Sequence, residues 1–264
     1  MKLKVGQTVR IGFAFLSICA FWQMYNSIIP LVLTNTFHLN ESISGVIMAA
    51  DNILAIFLLP LFGAISDKSK HKMGRRKPFI LFGTIAAVIL MLMLPLIDNS
   101  YYANPSLAKE VFFIAILGCI LLAMGTYRSP AVALMPDITP KPLRSSANAI
   151  INLMGAIGGI LYLIIASVLY SSAKTKGLAH VNYFPLFAIV AGIMVIALII
   201  VMITVNEKKL NEDMEHYEAA HPEEDLAVED ESGKEELPPE VKRSLIFLLV
   251  SIALWFISYN GLET

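Results

Sequence analysis

Charged residues are scarce in this chain. Asp, Glu, Lys and Arg make up only 16% of the 264 residues, whereas soluble domains carry about a quarter. Hydrophobic residues make up 56%, and the mean hydropathy is +0.68. This composition excludes an ordinary soluble domain and indicates an integral membrane protein.

Cysteine is rare and histidine is scattered. Cys19 and Cys119 both lie in apolar runs, and the five histidines show no ligand spacing, so we expect no disulfide framework and no metal site. The chain also has no nucleophile elbow, phosphate-binding loop, dinucleotide fingerprint or zinc motif. We therefore expect no enzyme activity and no cofactor.

The small net charge of −1 conceals two regions of opposite sign. Residues 206–243 hold 14 acidic and 5 basic side chains, and the rest of the chain holds 7 acidic and 15 basic ones. The basic residues mostly flank apolar runs, so neither region points to nucleic acid. Because the acidic segment has too few apolar residues to fold alone, we expect a solvated linker whose first part could form a short surface helix.

Six apolar runs are long enough to cross a bilayer, which takes about 20 residues. They cover residues 11–34, 45–66, 79–97, 111–134, 147–170 and 183–205, and a seventh begins near residue 244. The sequence therefore predicts an all-α membrane protein. We expect a six-helix bundle over residues 1–205, a cytoplasmic linker over 206–243 and the start of a seventh helix over 244–264.

The loops differ in their content of Lys and Arg. Loops 67–78 and 135–146 carry six and two of them, and the loops on the other side, 35–44, 98–110 and 171–182, carry none, one and two. Short loops rich in Lys and Arg stay in the cytoplasm, which predicts a cytoplasmic N-terminus. The short loops favour a bacterial inner membrane as the location.

The most basic loop, GAISDKSKHKMGRRKP at residues 63–78, contains one acid, Asp67. A purely topological role explains the positive charge but not Asp67, nor Gly63 four residues before it. Gly-x-x-x-Asp followed by Gly-Arg-Arg resembles the loop between the second and third helices of major facilitator superfamily transporters. Six residues separate Asp67 from Gly74, as in the sucrose-transporter-like and glycoside–cation symporter branches.

A second resemblance to the sucrose-transporter-like branch begins at Tyr127-Arg128-Ser129-Pro130 and continues AVALMPDITPKPLRSSANAI. It implies that Arg128 is a membrane-embedded cation that contacts sugar or a coupling carboxylate. The alternative is that Arg128 extends its side chain to the cytoplasmic surface.

The same resemblance implies a gate at the cytoplasmic face, formed by ion pairs among five side chains. These are Asp67, Arg75, Arg76, Asp137 and Arg144. Exposed pairs of this kind contribute only about 0–1 kcal/mol each, so their expected value lies in favouring one conformation. For Asp137, a turn or capping role beside Pro136 remains an alternative.

Asp51 lies inside the second apolar run. A carboxylate at that depth costs about 2.5–3.5 kcal/mol on insertion scales and is a functional candidate by default. Its position resembles that of the cation-coupling acids on helix 2 of glycoside–cation symporters. No second Asp follows one turn later, which favours a proton over Na⁺; hydration near the outer surface is the alternative.

Amide side chains also occur within the apolar runs. Gln23 and Asn26 share one helix face beside Trp22, and Asn148 and Asn152 lie one turn apart on the fifth run. They suit a polyol that offers hydroxyl groups, so we predict that they bind substrate. Hydrogen bonds that merely join neighbouring helices are the alternative.

Taken together, the resemblance implies a proton-coupled sugar symporter that works by alternating access. Its expected partners are a sugar or glycoside, H⁺ or Na⁺, the lipid bilayer, and a second six-helix half supplied in cis or in trans, so we expect the chain to be a fragment or a truncated form. Two alternatives remain: a non-transporting membrane scaffold that acts through the acidic linker, and a half-transporter that forms homodimers.

Overall fold

The computed structural model describes residues 4–220 and, after a gap, residues 241, 243–251, 254 and 255. Within these ranges the side chains of Asp51, Ser172, Glu215 and residues 218–220 are not described. The described chain divides into two compact units, Met1–Tyr217 and Glu218–Thr264.

The first unit is a bundle of long helices joined by short loops. The helices are α1 (Val5–Leu31), α2 (Glu41–Asp67), α3 (Lys77–Ala103), α4 (Leu107–Asp137), α5 (Arg144–Leu169), α6 (Phe184–Thr204) and α7 (Glu207–Ala220). A π-helical turn (Val32–Thr36) extends α1, a 3₁₀ turn (Lys141–Leu143) precedes α5, and a helical turn (Ser172–Thr175) follows it. Residues 218–220, the end of α7, fall in the second unit, whose described residues are all helical.

Helices α1 to α6 are long and apolar enough to cross a membrane. The prediction of an all-α bundle with six spans is confirmed, and the helices extend beyond the apolar runs at most of their ends. Helix α7 falls at the start of the predicted linker. The remainder of that linker lies outside the described residues, and so does most of the predicted seventh helix.

The helices pack in a defined order. Helix α1 packs against α5 and α6, α3 packs against α4 and α6, and α2 packs mainly against α4. As a result α2 exposes a row of large apolar side chains, including Ile53, Ile56 and Phe57. Exposed apolar area of this kind suits contact with lipid or with further protein.

Glycines set the closest approach of α1 and α5. A Cβ at Gly158 would overlap the backbone carbonyl of Leu16, and one at Gly155 would lie 2.9 Å from the Sγ of Cys19. Small residues at these positions therefore let the two backbones come together, as the small-x-x-x-small pattern predicts.

Helix α4 is joined to both of its neighbours at one level. The buried hydroxyl of Tyr127 lies 2.6 Å from Ser17 Oγ and donates a 2.9 Å hydrogen bond to the Ala14 carbonyl of α1. Two residues later, Ser129 Oγ donates a 2.7 Å hydrogen bond to the Leu59 carbonyl of α2. Interhelical hydrogen bonds of this kind fix the register of α4 between α1 and α2.

Candidate functional site

A cluster of charged side chains is centred on Arg76, at the end of the bundle where α2 finishes and α3 begins. We call this end the Arg76 end. Arg76 is only 5% exposed. Its Nε donates a 2.9 Å hydrogen bond to Oδ2 of Asp137, and its Nη2 forms an ion pair with Oδ1 of Asp67. One guanidinium thus joins the last residues of α2 and α4 to the start of α3.

The same guanidinium is bound by the last turn of α2. Its Nη1 donates to the Gly63 carbonyl at 3.3 Å and to the Ser66 hydroxyl. Ser66 Oγ itself donates to the Gly63 carbonyl at 2.8 Å. Gly63 also lies against Ser129 of α4, with 3.2 Å between its ideal Cβ position and Ser129 Oγ. The glycine of the sequence pattern therefore brings α2 close to both α4 and Arg76.

The other two predicted gate arginines have weaker contacts. Arg75 is 46% exposed, and its Nη2 lies 3.8 Å from Oδ2 of Asp137. Arg144 does not pair with Asp137; its Nε donates a 3.1 Å hydrogen bond to the Thr139 carbonyl of its own loop. Four of the five predicted gate residues are thus brought together, and Arg144 is not among them.

Glu207, the first residue of α7, caps the N-terminus of α3. The side chain is 1% exposed. Its two oxygens accept hydrogen bonds from the backbone N–H groups of Arg75 at 2.7 Å, Arg76 at 2.9 and 3.1 Å, and Lys77 at 3.0 Å. These N–H groups have no partner within a helix, and a negative charge is stabilised at this end of the helix dipole. The sequence did not distinguish Glu207 from the other acids of the linker.

Gly74 and Lys77 complete this contact from the other side. Gly74 has φ +113°, and a Cβ there would overlap the Glu207 carboxylate. Lys77 Nζ donates to the carbonyls of Met202 at 2.9 Å and Val205 at 2.7 Å, at the C-terminus of α6. A carboxylate at the start of one helix and an ammonium at the end of another therefore lie side by side, each in the orientation that the helix dipoles favour.

Arg128 lies inside the bundle, on α4. Its guanidinium carbon is 5.7 Å from the centre of the Trp22 ring of α1, a cation–π distance. Both residues line a small cavity, together with Leu54 and Leu58 of α2 and Met124 of α4. The predicted cation therefore faces the junction of α1, α2 and α4 and packs on an aromatic ring.

The four predicted amide residues do not converge on that cavity. Gln23 is half-buried and faces α5, with its Oε1 4.0 Å from the ideal Cβ position of Gly159. Asn26, Asn148 and Asn152 are exposed on the surface of the bundle. Exposed amides on apolar helices suit a polar pathway or a further protein surface better than lipid.

Asp51 belongs to α2, as predicted. Its side chain lies outside the described part of the structure, so its proposed role in ion coupling stays a prediction.

Sequence reasoning missed a buried pair at the opposite end of the bundle. Residues 98–110 are predicted as a loop, which is wrong for the first six, because α3 continues through Ala103. Asp98 is 1% exposed, and its Oδ2 lies 3.6 Å from Nε2 of His180, whose side chain is 13% exposed. The only sequence signal is a carboxylate directly after an apolar run, which is more commonly a solvated helix end.

Comparison with known proteins identifies the same family as the sequence motifs. The family model of the Major Facilitator Superfamily matches residues 11–264, nearly the whole chain. The chain belongs to the major facilitator superfamily. This is the family that the motifs in loop 63–78 and around Arg128 resemble.

Individual superfamily members are similar at low identity. A sucrose transport protein of Arabidopsis thaliana is 30% identical over 154 residues, which cover 53% of this chain and 25% of that protein. An alpha-ketoglutarate permease of Escherichia coli is 26% identical over 189 residues, covering 71% of this chain and 39% of that protein. YagG of Escherichia coli, named as a glycoside/cation symporter, is 23% identical over 192 residues, covering 72% and 41%.

These relatives include both branches that the sequence motifs indicate, and the recognition of the sucrose-transporter-like and glycoside–cation symporter group is confirmed. The matches span about a quarter to two fifths of the length of these superfamily members. The described residues include six helices long and apolar enough to span a membrane, and with this family membership the chain is a multi-pass membrane protein.

Proposed function

We propose that this chain forms the N-terminal half of a secondary active transporter that carries a sugar or glycoside together with a proton, by alternating access. The observation that carries the proposal is Arg128, a cation within a membrane-spanning helix that packs on Trp22 beside a cavity. Charged side chains inside the membrane are costly and belong to substrate or ion pathways. A guanidinium next to an aromatic ring offers hydrogen-bond donors to sugar hydroxyls and a flat surface for sugar C–H groups.

The Arg76 cluster supports the alternating-access part of the proposal. It joins α2, α3 and α4 at one end, where loops 67–78 and 135–146 carry most of the positive charge, which favours the cytoplasmic side for this end. In this proposal Asp67, Arg75, Arg76 and Asp137 stabilise one of the two conformations. Asp51 and its proton supply the coupling.

Transport is tested by uptake of labelled sucrose, other glycosides and glucose into proteoliposomes, with and without an inward proton gradient. Because the chain matches only part of its relatives, the assay compares the 264 residues alone with the same chain carrying any continuation that its gene encodes. Gradient-driven uptake in either form supports the proposal. Uptake by the 264 residues alone would also indicate that two copies of the chain form the transporter. Correct insertion with no uptake in both forms overturns it and leaves the scaffold alternative.

The role of Arg128 is tested by Arg128→Lys, which keeps the charge but loses the planar guanidinium over Trp22. We expect sugar uptake to fall by about tenfold or more, because a Lys ammonium cannot stack flat on the Trp22 ring or donate two parallel hydrogen bonds. Arg10→Lys is the matched control, since Arg10 is exposed near the start of α1. Equal uptake by Arg128→Lys and the wild type would remove Arg128 from the substrate site.

Asp51→Asn tests the coupling. It should abolish the response of uptake to the proton gradient while leaving the protein inserted. Unchanged gradient-driven uptake would exclude Asp51 from the mechanism without affecting the assignment of Arg128.

A further inference from the structure

Asp98 is buried in an apolar surrounding at the end of the bundle away from Arg76. The space beside it is lined by Leu94, Pro95, Phe113 and Phe187 and is too narrow for a water molecule. The Thr36 hydroxyl lies near the carboxylate, but no residue in the described part of the chain makes a close hydrogen bond to either of its oxygens. A carboxylate in such a place is stable only with a cation or a proton beside it.

The hydrogen-bond chain next to Asp98 fixes the direction of every donor. The backbone N–H of Phe184 donates to Asn182 Oδ1 at 3.0 Å, so this oxygen is an acceptor. Asn99 Nδ2 donates to the same oxygen at 2.9 Å, which turns Asn99 Oδ1 towards His180. Since Asn99 Oδ1 can only accept, the 2.9 Å contact to His180 Nε2 requires a proton on Nε2.

The Nε2–H of the imidazole is therefore donated to Asn99 Oδ1, and the Asp98 carboxylate lies on the same side of the ring. Oδ2 of Asp98 lies 3.6 Å from Nε2, and the ring stacks on Tyr102 with centroids 4.4 Å apart and an angle of 11° between the planes. Nδ1 is left as the position that can bind a second proton. The resulting imidazolium would compensate the buried carboxylate.

Among the described residues, the other groups around Asp98 do not supply that charge. The π-helical turn after α1 brings Thr36, which is neutral, and the segment before α6 brings Tyr183. Burial, and then the Asp98 charge, raise the pKa of the Tyr183 phenol, so it stays neutral. At the start of α4, Lys109 Nζ donates to the carbonyls of Ser100 and Asn104, both at 2.8 Å, beyond the end of the apolar pocket.

We propose that His180 and Asp98 form a proton-binding site at the end of the bundle opposite the Arg76 end. The proton binds to Nδ1 of His180 and gives an imidazolium that faces the Asp98 carboxylate; on release the proton returns to the solution and the neutral Nε2–H tautomer remains. Because His180 precedes α6 and Asp98 belongs to α3, the bound proton holds this loop against α3. The site does not depend on the transport proposal.

The test is NMR of the full chain in lipid nanodiscs with ¹³C- and ¹⁵N-labelled histidine. The His180 resonance is identified by its loss in His180→Gln. Asp98→Asn keeps the shape of the side chain but removes the charge that the imidazolium faces, so at a given pH less of His180 should be in the doubly protonated form than in the wild type. The resonance of His216, which is exposed on α7, is the internal control and should not move.

A second measurement needs no variant at Asp98. In the unchanged protein at high pH, the ¹⁵N spectrum of His180 should show a protonated Nε2 and a bare Nδ1, and at low pH both nitrogens should be protonated. An Nδ1–H tautomer at high pH overturns the proposal. So does a His180 titration that is the same in Asp98→Asn and in the wild type.

Discussion

The carboxylate of Asp137, the last residue of α4, accepts a 2.9 Å hydrogen bond from the Nε of Arg76, next to the first residue of α3. The same guanidinium pairs with Asp67, the last residue of α2. Three helix ends therefore share one cation. The two acids are less buried than the arginine, with exposed side-chain fractions of 54% for Asp67 and 20% for Asp137.

Replacing the shared cation should be costly. Arg76→Lys retains the charge but cannot serve Asp137, Asp67 and the end of α2 at once, so we expect the free energy of unfolding to fall by about 2–4 kcal/mol. Arg75→Lys is the matched control, because its single long contact is largely exposed, and it should cost less than about 0.5 kcal/mol. Denaturant unfolding in mild detergent measures both. Equal losses in the two variants would contradict a central role for Arg76.

Removing the cap of α3 should also destabilise the bundle. Glu207→Ala leaves three buried or half-buried N–H groups without an acceptor, and we expect a loss of about 2–4 kcal/mol. Glu207→Gln keeps one acceptor oxygen and should lose about half as much. Glu212→Ala, exposed on the same helix, is the control and should be close to neutral. Thermal unfolding, monitored by tryptophan fluorescence, ranks the stabilities of the three variants. A Glu207→Ala variant as stable as Glu212→Ala would refute the capping role of Glu207.

The contact between α1 and α5 should not tolerate a methyl group. Gly158→Ala places a Cβ against the backbone of Leu16, which cannot move aside as a side chain would, so we expect a loss of about 1–3 kcal/mol. At Gly118 no atom of the described residues lies within 4 Å of the ideal Cβ position. Gly118→Ala should therefore be neutral or stabilising by up to about 1 kcal/mol, because alanine favours the helix. The midpoints of thermal unfolding compare them, and the reverse order would be inconsistent with the packing.

The hydroxyl of Tyr127 should contribute a modest amount. Tyr127→Phe removes the hydrogen bonds to Ser17 and Ala14 while the ring keeps its place, and we expect a loss of about 0.5–1.5 kcal/mol. The cost stays small because Ser17 Oγ lies 2.9 Å from the Ala14 carbonyl and can donate its proton there once the phenol is gone. Tyr102→Phe, at an exposed ring, is the control. A larger loss for Tyr102→Phe than for Tyr127→Phe would contradict the assignment.

The helices could be predicted from the sequence because a bilayer requires long apolar segments that satisfy their own backbone groups. Asp67 and Arg76 could also be predicted to lie close together, because they flank a short loop between adjacent helices. Asp98 was assigned to a loop because hydropathy reports the apolar core of a span, whereas α3 continues past it to Ala103. Burial of a polar residue beyond that core depends on neighbours distant in sequence.

Contacts across long separations were not predictable. Glu207 reaches the start of α3 across about 130 residues of sequence, and its place among 14 acids of the linker gave no sign of this. Arg144 illustrates the converse, since a charge near Asp137 in sequence bonds instead to a carbonyl of its own loop. Charge pattern alone does not determine which of several nearby partners a side chain reaches.

The paired caps at Glu207 and Lys77 have a mechanical consequence. Hydrogen bonds join three helix termini. Glu207 at the start of α7 accepts from the backbone of Lys77 at the start of α3, and the Lys77 side chain donates to carbonyls at the end of α6. A force applied to the segment after α6 is therefore transmitted to α3 through these hydrogen bonds. Helices α3 and α6 should consequently tilt together as one rigid unit, and a displacement of α7 should move both of them.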